Sequence, residues 1–140
     1  MSISSLEQSS YDQEYYTYHL ELLSAFGAQI QQLTPFNEES PSVDDQEFLA
    51  ALAHLQQQPQ GTNFLEQGQI LMCRFVGAYS HLMPLLYRDL LWFFGGDCLH
   101  FMPDHEIDIF QQLDEQREEA KQQQAPFSHK EARAKLMGMH

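Results

Sequence analysis

The chain is poor in the residues on which most catalytic, nucleic-acid-binding and membrane proteins depend. Only seven of its 140 residues are Lys or Arg, and none precedes Arg74, whereas ten acids do. Duplex nucleic acid is excluded as a direct partner on that ground, because phosphate binding takes clustered positive charge. The two cysteines, Cys73 and Cys98, lie in apolar or semi-apolar stretches. Residues 1–10 have neither the basic start nor the apolar centre of a secretory signal. These features set the expectation of a cytoplasmic protein with reduced thiols. No apolar run reaches the roughly 18 residues of a membrane span: Arg88 and Asp89 split the longest, and Gly95, Gly96 and Asp97 close it.

Recognisable chemistry is also missing. There is no glycine-rich phosphate loop, no His-Glu-x-x-His, no Glu-x-x-His and no Gly-x-Ser-x-Gly. The expectation is a non-enzymatic protein without a cofactor. Strand-period segments and fixed repeats are absent, and the glutamines are dispersed along the chain rather than gathered into a low-complexity tract.

What the chain does have is apolar and aromatic material: 43% hydrophobic residues, with ten Phe and six Tyr. A chain of this size buries roughly 68% of its unfolded surface, so a single domain needs no staple. Helical periodicity predicts an all-α, single-domain bundle of four to five main helices over residues 10–137, with a flexible N-terminus at 1–9 and a tail at 138–140. The first helix is expected from Ser10, where Ser10 and Gln13 resemble a capping box, to Leu33 before Thr34-Pro35. Tyr11, Tyr15, Tyr18, Leu22, Phe26, Ile30 and Leu33 form its inner face. Gly27 interrupts that helix at a cost of about 1 kcal/mol, which signals a close approach by another element.

Ser42 is a suitable cap for a second helix over 42–58, with Asp44, Asp45 and Glu47 at the positive end of its dipole. Asn63 opens the longest pattern, 63–83, in which Gly68, Gly77 and Ala78 leave room for a neighbour, and Pro84 is expected to kink or break it. Residues 85–94 are apolar nearly all round and predict a buried central helix ended by Gly95-Gly96. Asp104 is expected to cap a helix over 104–123. Ser128 with Glu131 opens the last, over 128–137.

Candidate functional residues gather in two places. Arg88 and Asp89 lie inside the apolar run near Trp92, and an isolated buried charge costs several kcal/mol, so they must be paired, reach solvent or face a ligand. Together with Cys98 and His100 they outline a small-molecule site. Cys98, His100 and His105 are the nearest thing to a metal set, but they lack the paired ligand spacing of zinc sites. Cys98 with His100 also has the elements of a nucleophile pair, although Asp97 beside it disfavours a thiolate. The second place is the start of the first helix, where Tyr11, Tyr15, Tyr16 and Tyr18 combine apolar area with hydroxyls, as interface residues do. Helical spacing turns Tyr11, Tyr15 and Tyr18 inward and leaves Tyr16 outward.

The net charge of −13 suits steered association with a basic partner, or mimicry of nucleic acid, although eight of the twenty acids sit in or beside first helical turns. The function expected from these features is that of a helical adaptor or regulator working through protein contacts, with a partner protein or a second copy in a homodimer. A ligand-binding bundle and an acidic nucleic-acid mimic are the alternatives.

Overall fold

A computed structural model describes residues 3–138, with side chains from Ser10 onward. The expectations for residues 1–9 and 138–140 fall wholly or mainly outside the described side chains. The described chain is all-helical, without a strand: α1 (Ile3–Ile30), α2 (Val43–Gln57), α3 (Phe64–Ala78), a 3-10 helix (Ser80–Leu85), α4 (Arg88–Phe94), a second 3-10 helix (Gly96–Phe101), α5 (Asp104–Gln123) and α6 (His129–Gly138). Among the described residues no helix is long and apolar enough to cross a membrane.

The helix boundaries depart from the sequence expectation where a local cue competed with a longer-range demand. α1 starts at Ile3, so Ser10 lies inside it; no Gly or Pro precedes Ser10 to stop the helix from extending. α3 ends at Ala78, short of Met83. Tyr79 leaves helical geometry at φ −126° and ψ 48°, and its ring joins Phe36, Phe48 and Phe75, with centroids 4.7, 5.3 and 5.7 Å away. Pro84 then sits inside a tighter 3-10 turn, in place of the α-helix that its ring would obstruct. Tyr87 is extended, which shortens the expected helix 85–94 to the seven residues Arg88–Phe94. Asp104 is the first residue of α5 and not its cap: the Pro103 carbonyl accepts from the Glu106 and Ile107 amides. Two other caps form as expected, with Ser42 Oγ accepting from the Asp45 amide at 3.1 Å and Ser128 Oγ from the Glu131 amide at 3.3 Å.

The described residues divide into two compact units, His19–Met102 and the segment up to Tyr18 with that from Pro103 onward. In the first unit α3 packs against α2, α4 and both 3-10 helices. Its inner face carries two aromatic groups. Phe75 meets Phe26 of α1 edge-on at 4.9 Å and Phe48 of α2 at 5.7 Å, while Phe64 meets Phe93 and Phe94 of α4 at 6.3 and 5.6 Å. Such pairs add roughly 0.5–1.5 kcal/mol each beyond the area they bury. His19 is buried and stacks flat on Phe93, with centroids 4.6 Å apart.

Two glycines account for how close the helices come. A Cβ at Gly27 would lie 2.7 Å from Gln56 Nε2, which donates to the Leu23 carbonyl and ties α2 to α1. A Cβ at Gly68 would lie 2.1 Å from Phe94, so α4 can press its ring on the α3 backbone only where no side chain exists. Gly77, on the open side of α3, has nothing within 4 Å of such an atom. The two positions therefore respond oppositely to Ala. Gly68→Ala lowers stability by about 1–3 kcal/mol through overpacking, and Gly77→Ala raises it by about 0.5–1 kcal/mol through backbone entropy; urea melts of the two variants read both signs.

Candidate functional site

The segment from Arg88 to Phe101 is held by main-chain carbonyls. Arg88 is half-buried at the start of α4, and its Nη2 donates to the Phe101 carbonyl at 2.7 Å, joining the head of α4 to the end of the second 3-10 helix. Asp89 is 2% exposed in the first turn of α4, where its charge meets the positive end of the helix. Trp92 is half-buried one turn on. Cys98 is fully buried; its thiol donates to the Gln69 carbonyl at 3.7 Å and lies 4.0 Å from Cys73 Sγ. Burial, reinforced by Cys73, pushes the Cys98 thiol up to about 12. With Cys73 reduced beside it, it stays protonated at neutral pH and is the less reactive of the two thiols toward an electrophile from solvent. His100 and His105 are exposed, and among the described residues no three His, Cys, Asp or Glu side chains converge on a position able to hold a metal. His81 is also exposed, with Nε2 3.2 Å from the Thr34 carbonyl.

The tyrosine cluster belongs to the second unit. Tyr11 donates from its hydroxyl to the Ala125 carbonyl. Tyr15 lies beneath the Arg117 guanidinium, 3.9 Å from its ring centroid, and Arg117 also donates to Asp114 at 3.0 Å. Tyr15 and Tyr18 flank the buried His129 ring at 5.5 and 4.7 Å. Glu14 receives the His129 amide at 2.7 Å, placing a carboxylate at the N-terminus of α6. Tyr16 is half-buried and not the outward residue that spacing predicts; burial raises its hydroxyl above the ordinary phenol range. Tyr11, Tyr15 and Tyr18 are thus engaged by α5, α6 and the loop between them, and Tyr16 is partly covered.

A surface feature that the sequence reading passed over lies between α2 and α3. Ala51, His54 and Leu55 face Gln67, Ile70, Leu71 and Arg74 across a groove of about 280 Å³. Leu55 and Leu71 are buried, while Ile70 is 64% exposed and stands as its wall. Arg74 anchors one end, donating to the Asp44 carbonyl at 3.0 Å and lying 5.9 Å from the Phe48 ring centroid. Next to it Tyr79, buried among the phenylalanines, donates to Asp45 Oδ1 at 2.6 Å. The available signal was Ile70 itself, an apolar residue off the inner stripe of α3.

Residues 11–140 match the model of a protein family described as PA2817-like. No curated protein and no solved structure matches the chain.

Two measurements follow from this geometry. Arg88→Met removes a charge-assisted bond that closes the end of the second 3-10 helix and lowers stability by about 1–2 kcal/mol in urea unfolding. Tyr79 is raised from 10.0 to about 12, first by burial and then by its bond to Asp45 and the charge there. A raised pKa contributes stability that is complete below the unfolded value and lost as pH rises through the folded one. The melting temperature therefore falls between pH 10 and 12, and Tyr79→Phe makes that fall shallower, leaving the part contributed by the raised Cys98 and Tyr16.

Proposed function

For this chain, which belongs to the PA2817-like family, we propose a non-enzymatic role as a helical adaptor or regulatory protein, with the α2–α3 groove as its docking surface for a partner protein. The supporting observation is the groove itself: an apolar floor of Leu55 and Leu71 beside an Ile70 that is 64% exposed, on two packed helices. A side chain of that size left in water beside a groove is a place where further burial is still available, at about 25 cal/mol per Å². The shape suits an amphipathic helix that lays its apolar face into the groove.

Charge selects the partner. The chain carries −13 overall, and Glu47 and Glu66, one helical turn before Ala51 and Ile70, are exposed, while the one Lys or Arg that lines the groove, Arg74, is engaged with the Asp44 carbonyl. A partner helix with an apolar stripe flanked by Lys or Arg is complementary to that surface, whereas a second copy brings another −13 against it. We therefore place a basic partner ahead of a homodimer.

A synthetic helical peptide of Leu and Lys, titrated against isotope-labelled protein, tests this reading. Shift changes should cluster at Ala51, His54 and Ile70, and an otherwise equal peptide of Leu and Glu should leave the spectrum unmoved. Ile70→Glu separates groove binding from mere charge attraction. It removes the apolar wall but adds a negative charge, so binding in the groove falls at least about tenfold, equivalent to about 1.4 kcal/mol, while non-specific attraction strengthens. Stronger binding by Ile70→Glu would refute the groove as the docking surface.

A further inference from the structure

Both cysteines of the chain, although 25 residues apart, are brought together, Cys73 on α3 and Cys98 on the second 3-10 helix, with sulfurs 4.0 Å apart. Cys98 is buried and Cys73 is half-buried. Cys98 is held in place, since its thiol donates to the Gln69 carbonyl one helical turn before Cys73. Gln69 is itself fixed, because its Nε2 donates to the Phe94 carbonyl at 3.0 Å and its amide abuts Gly96, at which a Cβ would lie 2.4 Å from Oε1.

We propose that Cys73 and Cys98 are an oxidisable dithiol, a redox-modification site at which a hydroperoxide reacts with Cys73 and Cys98 then resolves the product as an intramolecular disulfide. The order is set by access. Cys98 is fully buried, so an oxidant from solvent meets the half-buried Cys73 first. The Cys73 thiolate attacks one peroxide oxygen and the O–O bond breaks. The departing hydroxide takes a proton and leaves as water, and Cys73 becomes a sulfenic acid. Cys98 sulfur then bonds to Cys73 sulfur as the S–O bond breaks, and the hydroxide leaves as water with the Cys98 proton. Two thiols have given two electrons to one hydrogen peroxide, which ends as two waters. A small-molecule dithiol reverses the modification by exchange. Burial that keeps Cys98 protonated at rest also shields it from direct oxidation.

The structural consequence is local. A bond from α3 to the second 3-10 helix closes the chain around α4 and the Gly95-Gly96 turn, a segment otherwise tied to α3 by the Gln69 side chain and by packing. Cys73 directly precedes Arg74 at the end of the α2–α3 groove, so the oxidised state fixes the α3 turn that carries the anchor of that groove.

The test is to treat the full-length, untagged protein with hydrogen peroxide, quench, unfold it in alkylating agent and measure the intact mass and the digested peptides. The expected product is a monomer that has lost about 2 Da and both alkylatable thiols, yields a Cys73–Cys98 linked peptide, and returns to the starting mass with dithiothreitol. The single variants check the order of events. Cys98→Ala should instead accumulate oxygen on Cys73, about 16 Da or a multiple of it, and in Cys73→Ser the remaining thiol should stay alkylatable. Melting curves taken beforehand establish that each variant is folded. The proposal is overturned if wild-type protein gains oxygen on Cys73 while Cys98 remains alkylatable, if the linkage is between chains, or if Cys98 is oxidised in folded Cys73→Ser.

Discussion

The contact between the Phe94 ring and the bare backbone of α3 at Gly68 is the constraint on which the unit His19–Met102 depends. With no Cβ in the way, a seven-residue helix that would be too short to persist in water sits flat on α3 and gains its stability from burial. The next turn of α3 completes the arrangement. Gln69 accepts the close approach of Gly96 and satisfies the Phe94 carbonyl, Gly95 and Gly96 supply the positive φ values of 67° and 55° that reverse the chain, and Cys98 arrives against Cys73. The end of this segment is then closed by Arg88, which reaches back from α4 to the Phe101 carbonyl. Packing, turn chemistry and one charge-assisted bond thus act on the same fourteen or so residues, each making the next possible.

Seen from that contact, the two charged residues within the apolar run have defined structural surroundings. Arg88 occupies a carbonyl at the end of a 3-10 helix, where a positive group is favoured, and Asp89 occupies the first turn of α4, where a negative one is. In the other unit the buried Arg117 lies over the Tyr15 ring and the exposed Glu14 receives the amide at the head of α6, so a π face and a helix end receive these charges. The surface left for other molecules is accordingly better sought where apolar atoms remain in water, and Ile70 beside Leu55 and Leu71 is such a place.

Much of this organisation was legible in the sequence because it rests on local signals. Helical periodicity gave the all-helical class; Ser42 and Ser128 gave two helix starts; Gly27 and Gly68 marked close approaches, and Gly95-Gly96 marked the turn. What was not legible depends on partners far along the chain. The end of α3 is decided by where the Tyr79 ring finds Phe36 and Phe48, not by Pro84 alone. Tyr16 appeared outward by spacing, yet it is partly covered in place. The pairing of Cys73 with Cys98 needed the path of α4 and the turn after it, which no spacing rule encodes. The groove needed the α2–α3 register, and only the odd position of Ile70 hinted at it.

The measurement that addresses the central claim most directly is site-specific photo-cross-linking in the cells that make this protein, with the reactive group at position 70 and a control at the exposed Gly77. The account predicts an adduct at position 70 that is absent at position 77, mapping to an amphipathic helix of another protein flanked by Lys or Arg. Equal adducts at the two positions, or an adduct at position 70 with a second copy of this chain, would contradict it.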